Sequence, residues 1–259
     1  GETQVWRLKG HASREFWRWV ASWGALIRNP GDLGYETSQY QLPDLITKQH
    51  TIAVDTREIF ATTGQRFPDD NASLMERKDA RRASLGDRVA ACAALVNSNP
   101  DESWVVWCDL NAEGDALLEA IPDAVEVRGS DTIERKEQRL EDFAAGKIRV
   151  LVTKPSIAGF GLNWQHCARM AFVGVTDSWE SYYQAVRRCW RFGQSHPVQV
   201  HIFASEREGS IVANLKRKEQ DAQAMAAALS AETREAVQLA VLGTQRQENT
   251  YNPARAIVV

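Results

Sequence analysis

Short apolar runs alternate with amphipathic segments along residues 101–205. The apolar runs cover 104–108, 124–127, 148–152, 170–175 and 198–203, and each has the length of one buried strand. The segments between them predict helices at 111–120, 131–146 and 179–192. This alternation is typical of a parallel sheet with helices on both faces. The pattern therefore predicts an α/β fold, a doubly wound parallel sheet whose ligands gather at the carboxyl ends of the strands.

The flanking segments have other patterns, and the chain divides into three predicted parts. Residues 1–45 begin with an aromatic amphipathic stretch at 13–27, with Ser13 as its expected N-cap. Residues 46–205 add a strand-like run at 46–54 and a long helix at about 73–96. We expect the basic face of that helix to be solvated rather than a binding surface; it carries Arg77, Lys78, Arg81 and Arg82. Residues 206–259 predict one or two helices and a loose end.

Composition excludes several classes of protein. A net charge of −3, from 31 Lys+Arg against 34 Asp+Glu, excludes a histone-like protein but allows a local nucleic-acid surface. No apolar run approaches the roughly 18–20 residues of a membrane span. The four cysteines lack the C-x-x-C spacing of zinc or redox sites, so we expect isolated thiols and no metal site. The first residues do not resemble a signal peptide, and we expect the chain to be part of a longer protein.

The strongest chemical signal lies at 184–194. Arg188 and Arg191 are three residues apart on a predicted helix, so both guanidinium groups are expected on one face. No acidic residue occurs from Ser181 through Ser205. Two arginines in such a segment favour an anionic partner, and phosphate matches their planar fork. The alternative is a pair of surface arginines bound to carboxylates elsewhere in the chain.

A second signal follows the predicted strand at 148–152. Thr153 and Lys154 emerge at its carboxyl end, and Gly159 and Gly161 would let the backbone approach a ligand closely. A lone G-x-G is weak evidence, because many such pairs only make a tight turn. Its position at the edge of the sheet where ligands bind keeps the ligand-binding interpretation open beside the tight turn.

The chain lacks a complete nucleotide triphosphatase site. The phosphate-binding loop requires G-x-x-x-x-G-K-[ST], whereas the only Gly-Lys pair, Gly146-Lys147, is followed by Ile148. Asp109 and Asp177 follow predicted strands and could hold Mg²⁺, but neither has a phosphate loop beside it. We therefore expect the chain to be inactive as a triphosphatase on its own.

These segments resemble the motifs of superfamily 2 helicases. Residues 184–194 resemble motif VI in the Q-A-x-G-R-x-x-R-x-G-Q form of SWI/SNF-type ATPases, with Arg187 where glycine is usual. Residues 153–163 resemble motif V, and the strand at 104–108 with Asp109 stands where motif IV falls. The framework of the helicase C-terminal domain is matched between them by Gly129, Arg135, Phe143 and Gly146. Residues 101–205 are thus similar to the second RecA-like lobe.

The resemblance implies a role for each matching residue. Arg188 and Arg191 would be arginine fingers acting on the γ-phosphate of ATP, with Gln184 helping to position them. The nucleotide side of the lobe would include Gly159, Gly161 and Asn163. The nucleic-acid backbone would be contacted by Thr153, Lys154, Asp109 and Asn111. Trp164 could stack a base, although packing under the sheet is the favoured interpretation.

The resemblance also implies a larger protein. The parent would be an ATP-dependent DNA helicase or translocase of the kind encoded by phages or prophages, using ATP and Mg²⁺. A first RecA-like lobe, missing here, would supply the phosphate loop and the carboxylate for Mg²⁺, and residues 1–45 would be its tail and linker. The expected partners are single- or double-stranded DNA and that first lobe, with no membrane. The expected location is the cytoplasm of a bacterial or phage-infected cell.

Two other functions compete with this one. A nucleic-acid-binding or protein-interaction module could keep the helicase fold without turning over ATP, although such a scaffold has no need for paired arginines. A dinucleotide or nucleotide-sugar enzyme would need a G-x-G-x-x-G after its first strand, which the chain lacks. Arg187 leaves two possibilities open: altered packing of the neighbouring loop, or a third contact to phosphate.

Overall fold

The computed structural model describes residues 12–24, 26–27, 29–53, 81–158, 162–176 and 178–242. The chain falls into two compact units. One spans Gln41–Gln220, and the other combines Gly1–Tyr40 with Asp221–Val259. The predicted long helix at 73–96 and the glycines at 159 and 161 lie partly or wholly outside the described residues.

A parallel sheet forms the centre of the unit Gln41–Gln220. Within the described residues it has six strands, all parallel, in the spatial order β1-β6-β5-β2-β4-β3. The strands are β1 (Leu45–Ile52), β2 (Trp104–Trp107), β3 (Ala124–Glu126), β4 (Val150–Thr153), β5 (Arg169–Phe172) and β6 (Val198–Ser205). The predicted doubly wound α/β fold is confirmed.

Helices cover both faces of this sheet. They are α2 (Leu85–Asn97), α3 (Asn111–Ala120), α4 (Ile133–Ala144), α5 (Pro155–Ala158), α6 (Trp179–Val186) and the first part of α7 (Gly209–Leu242). The central strand β2 is buried at every position, and alternate residues enter different cores. Val105 and Trp107 pack on one side, whereas Trp104 and Val106 pack on the other. Burial on both faces explains why the central strands β2, β4 and β5 are mostly continuous apolar runs.

The second unit contains helix α1 (Ser13–Ala21), 3₁₀ turns at Pro30–Leu33 and Ser38–Tyr40, and the remainder of α7. Helix α1 is shorter than the predicted 13–27. The Ser22 hydroxyl donates to the Trp19 carbonyl at 2.6 Å, and such a bond competes with helix continuation. Trp19 and Trp23 pack edge to face at 5.5 Å and remain 60% and 67% exposed.

Helix α4 begins at Ile133, two residues after the predicted start at 131. Its N-cap is Thr132, whose hydroxyl accepts from the Arg135 amide at 3.3 Å. Asp131 is engaged elsewhere, since its carboxylate accepts from the Arg128 amide at 2.9 Å. The helix is closed, as predicted, at Gly146, which has a left-handed φ of 74°.

The described residues contain neither a membrane-spanning helix nor a group of metal ligands. None of their helices is long and apolar enough to cross a membrane. No group of three or more His, Cys, Asp or Glu among them is placed to hold a metal ion. All four cysteines are buried and reduced.

Two neighbouring strands bring a pair of histidines together. His50 of β1 and His201 of β6 lie side by side, with Nε2 of His50 2.9 Å from Nδ1 of His201. Burial lowers the pKa of His201, and the positive charges of His50, Lys48 and Arg169 lower it further, from 6.5 to about 4. His201 is therefore neutral in the folded protein at pH values where the unfolded chain would already bind a proton.

We expect the folded state to lose stability as the pH falls from 6.5 to about 4. In this window the unfolded state binds more protons at His201, so the free energy of unfolding rises with pH and falls on acidification. Urea unfolding at several pH values should show a shallower pH dependence for His201→Gln than for the unmodified chain. The exposed His196→Gln is the control and should leave the slope unchanged; equal slopes for all three proteins would contradict the assignment.

Candidate functional site at the carboxyl edge of the sheet

The exits of β2 and β4 bring three of the predicted nucleic-acid residues together. Asp109 follows β2, Asn111 begins α3, and Lys154 follows β4. The Lys154 ammonium donates to the Asn111 side-chain oxygen at 2.7 Å. Because the strands are parallel, their exits meet at one edge of the sheet. This edge therefore presents a lysine and an amide side by side.

A small cavity of about 90 Å³ opens at the same edge. It is lined by residues that follow β2, β4 and β5, among them Asp109, Lys154 and Thr176. Cys108 also lines it, and burial raises the pKa of that thiol to about 12. The thiol is thus neutral at physiological pH and is not a nucleophile.

Arg81 ties this edge to the end of β6. Its guanidinium binds the Asp109 carboxylate at 2.6 Å and the Glu208 carboxylate at 2.9 Å, and it donates to the Val175 carbonyl. Burial alone would lower its pKa, but the hydrogen bond and charge of Glu208, with the charge of Asp109, raise it above the usual value. The prediction that the basic face is solvated is therefore wrong for Arg81.

A second arginine lies beneath the first and is completely buried. Arg88 binds the Glu113 carboxylate at 2.9 Å, and both side chains are 0% exposed. Its remaining donors reach the Ser84 hydroxyl at 3.0 Å, the Arg81 carbonyl at 2.7 Å and the Val173 carbonyl. The charge is thus surrounded by acceptors, as a buried guanidinium requires.

Glu113 joins this arginine to the start of α3. Its second oxygen accepts from the amides of Asp109 at 2.9 Å and Leu110 at 3.0 Å. A side chain on Gly174 would meet the Glu113 carboxylate and come within 2.9 Å of the Asp109 amide nitrogen. Glycine at this position therefore lets the exit of β5 lie directly on the exit of β2.

Sequence reasoning missed this buried network of Arg81, Arg88, Glu113 and Glu208. One signal for it is present in the chain. Arg88 lies on the apolar stripe of α2 with Leu85, Val89 and Cys92, where a charged side chain is buried unless it can reach water. A charged residue on such a stripe indicates a buried ion pair, although the partner cannot be read from the sequence.

The two predicted arginine fingers lie just beyond α6. The helix ends at Val186, and residues 187–193 form a series of turns, so the predicted helix to 192 and its shared helical face are wrong. The turns still bring the two side chains together. Nη1 of Arg188 and Nη1 of Arg191 lie 3.2 Å and 3.4 Å from the carbonyl oxygen of Leu162. Residues 187–193 are called the arginine turn below.

The two arginines are close enough for their positive charges to repel each other. Burial, followed by the positive charge of Arg191, lowers the pKa of Arg188. Arg191 also contacts the side-chain oxygen of Asn163, and its Nε is buried with no hydrogen-bond partner within the described residues. Two like charges close together are relieved by an anion, and a phosphate group has the matching geometry.

The remaining predicted residues have different surroundings. The Gln184 amide donates to the Glu180 carboxylate at 3.1 Å, and its role in positioning the arginines stays a prediction. Gly159 and Gly161 lie outside the described residues, and their predicted contact with nucleotide stays a prediction too. Asp177, considered for Mg²⁺, is likewise outside them.

Two predicted contacts with nucleic acid need correction. Trp164 is 0% exposed and packs against Trp107 at 5.9 Å and Phe143 at 5.1 Å, so it offers no ring face for a base. Thr153 is also fully buried, and its hydroxyl donates to the Val127 carbonyl at 3.0 Å. Both side chains are therefore enclosed by the protein, and packing, the favoured interpretation for Trp164, is what the structure shows.

Residues 87–193 match the family model of the helicase conserved C-terminal domain. This stretch holds most of α2, the strands from β2 to β5, and the arginine turn. The match supports a helicase-type lobe, and the six parallel strands with flanking helices are the predicted α/β RecA-like fold. Domains of this family form part of ATP-dependent helicases and translocases. No curated protein matches the chain.

Several solved structures are similar to parts of the chain. The C-terminal part of the Fun30 ATPase domain is 12% identical, covering 67% of this chain and 89% of its own, with a TM-score of 0.49. The C-terminal domain of the DEAD-box protein Dbp5 is 14% identical, covering 52% and 79%, with a TM-score of 0.45. A variant of S. cerevisiae Dbp5 bound to RNA and ADP BeF3 is 13% identical, covering 51% and 36%, with a TM-score of 0.46.

We expect Arg88→Met to lower the free energy of unfolding by about 3–5 kcal/mol, because it leaves the buried Glu113 carboxylate without its partner. Urea unfolding followed by circular dichroism measures the loss. Arg135→Met is the matched control, since Arg135 is an exposed residue of α4, and it should cost less than about 0.5 kcal/mol. Similar losses for both variants would show that the buried pair contributes no special stability.

Proposed function

We propose that this chain is the second RecA-like lobe of an ATP-dependent DNA helicase or translocase of the SWI/SNF type, of phage or prophage origin. The observation that carries the proposal is the convergence of Arg188 and Arg191 on one carbonyl oxygen, inside the stretch that matches the helicase C-terminal domain. A second RecA-like lobe acts on ATP held mainly by a first lobe, so the site is completed only when the two lobes close.

The arginine turn suits a role at the γ-phosphate. Guanidinium groups form paired hydrogen bonds with phosphate oxygens, and an arginine finger is typically worth about 10³–10⁵ in turnover. Arg191 already has a buried Nε without a hydrogen-bond partner within the described residues. Burial and the nearby charge of Arg191 lower the pKa of Arg188, which means that they disfavour its charged form. An incoming phosphate would replace the Leu162 carbonyl as their shared acceptor.

Two carboxylates at this edge, those of Asp109 and Glu113, do not suit Mg²⁺. Asp109 is bound by Arg81 and Glu113 by Arg88, so both are already neutralised by guanidinium groups. When bound, Mg²⁺ would supply positive charge that offsets the charge developing on the phosphate groups. On this proposal its protein ligands come from the first lobe, and this chain contributes the positive charge on the opposite side of ATP.

The exits of β2 and β4 suit the nucleic-acid backbone. Lys154 and Asn111 lie together at the edge, and both side chains can donate hydrogen bonds to phosphate oxygens. Binding through the backbone gives little sequence preference and a marked dependence on salt. DNA is the proposed substrate, and RNA oligonucleotides of equal length belong in the same experiments.

We expect the chain preceded by its first lobe to hydrolyse ATP when DNA is present, and the chain alone to be inert. Arg188→Ala and Arg191→Ala should each lower kcat by about 10³-fold or more, because charge on the γ-phosphate then loses a partner in the transition state. Steady-state phosphate release with single-stranded DNA, duplex DNA and RNA is the measurement.

Arg149→Ala is the matched control for these variants. Arg149 precedes β4 at the opposite edge of the sheet and binds Asp123, so its loss should leave kcat within a few-fold. If the two-lobed protein binds DNA but does not hydrolyse ATP, the competing interpretation, a binding module on the helicase fold, replaces the proposal.

We expect Lys154→Ala to weaken DNA binding by the two-lobed protein. Loss of one phosphate contact should reduce the slope of log K against log salt by about 1 and act equally on unrelated sequences. Fluorescence anisotropy between about 50 and 200 mM salt measures both effects. Lys147→Ala is the control, because Lys147 is an exposed lysine before β4, at the other edge. Equal losses for the two lysines would remove Lys154 from the interface.

A further inference from the structure

Arg187 stands where the similar helicase motif has glycine, and its side chain occupies a defined place. It is the C-cap of α6, with its amide donating to the Tyr183 carbonyl at 2.9 Å. Its guanidinium carbon lies 5.8 Å from the ring centre of Tyr183 and 5.3 Å from that of Trp190. Both distances lie within the range of cation–π attraction.

Both rings are themselves held in place. Tyr183 stacks on Trp179 with ring centres 4.9 Å apart and an angle of 23° between the planes. Trp190 donates its indole N–H to the Pro43 carbonyl at 2.7 Å and packs against the core. Trp179, Tyr183, Arg187 and Trp190 therefore form a continuous stack, called the cation stack below. It runs from the first residue of α6 into the arginine turn.

The stack bears on the arginine turn because Trp190 lies between Arg188 and Arg191 in the chain. The turn has no regular helix to fix it. Its backbone depends on local bonds such as those from the Trp190 amide to Val186 and from the Arg191 amide to Cys189, at 2.9 Å and 3.1 Å. A glycine at position 187 would supply no side chain to hold the Trp190 ring.

We propose that Arg187 is a positioning residue, which holds Trp190 through the cation stack and thereby keeps the side chains of Arg188 and Arg191 together at the Leu162 carbonyl. The contact of Arg187 with its rings stands independently of any activity. Its consequence for ATP rests on the proposed function. Of the two possibilities left open by the sequence, the geometry favours packing over a third contact to phosphate.

Hydrogen exchange of this chain, measured by mass spectrometry, tests the stack directly. Arg187→Met keeps an unbranched apolar stem but removes the charged guanidinium, and amides of residues 188–193 should exchange about 10-fold faster. Arg187→Lys retains a cation and should restore most of the protection. Tyr183→Leu should have a similar effect to Arg187→Met, and the double variant should be no faster than either single one. Amides of β5 and β6 serve as the internal control.

Unchanged exchange at 188–193 in Arg187→Met would overturn the proposal. So would an equal acceleration in Arg149→Met, the matched control at the other edge of the sheet, because it would show a general loss of stability. Failure of Arg187→Lys to restore protection would also overturn it, since the charge would then have no part in the effect.

Turnover by the two-lobed protein separates positioning from direct contact with phosphate. Arg187→Met should lower kcat about 10-fold with little change in KM for ATP, because misplaced fingers lose interactions made in the transition state. A rise in KM for ATP or in Kd for DNA, with exchange unaffected, would mean a phosphate contact and overturn the proposal, as would faster exchange with unchanged kcat. If the unmodified two-lobed protein shows no turnover, the proposed function fails, and exchange alone still decides the role of Arg187.

Discussion

The buried pair of Arg88 and Glu113 is the interaction on which the carboxyl edge of the sheet depends. Two charges without solvent exposure are costly unless every donor and acceptor is matched. Here the arginine reaches a carboxylate, a hydroxyl and two carbonyls, and the carboxylate receives two backbone amides as well. The pair therefore links α2, the exit of β2 and the exit of β5 with specific, directional bonds where an apolar core would supply only packing.

The pair of Arg88 and Glu113 also fixes the positions of neighbouring residues at the carboxyl edge of the sheet. Glu113 holds the amides of Asp109 and Leu110, which sets the start of α3 and hence the place of Asn111. Arg81 adds bonds from Asp109 to Glu208, whose other oxygen accepts from the amide and hydroxyl of Ser205 at 3.0 Å and 2.9 Å. The exits of β2, β5 and β6 thus form one connected structure. The chain continues from β5 into α6 and the arginine turn. The predicted nucleic-acid surface at the exits of β2 and β4 and the predicted nucleotide surface at the arginine turn therefore both depend on this network.

Pattern was sufficient to predict the centre of the sheet because β2, β4 and β5 are buried on both faces and are therefore mostly apolar. The helix at 111–120 and the strand at 104–107 match their predicted positions closely. Side-chain direction was harder. Thr153 begins the segment that resembles motif V and Trp164 follows that segment, but both side chains are fully buried, and a linear sequence does not show which of them face the core. The end of α6 at Val186 was also missed. The arginines beyond it keep the three-residue spacing of a helix, although the backbone there forms turns and no longer a regular helix.

The arginines illustrate what sequence can and cannot decide about charge. Arg81 and Arg88 are separated from their carboxylates by 25 or more positions in the chain. The residues around each arginine in the sequence therefore do not indicate that its charge is neutralised. Arg188 and Arg191 lie in a segment without acidic residues, and in the fold both reach the carbonyl oxygen of Leu162. A guanidinium bound to a buried carboxylate has little to gain from a phosphate, because its charge is already neutralised. The buried ion pairs therefore give Arg81 and Arg88 a structural role. The binding role proposed for Arg188 and Arg191 rests instead on their convergence at one carbonyl oxygen and on the repulsion between their charges.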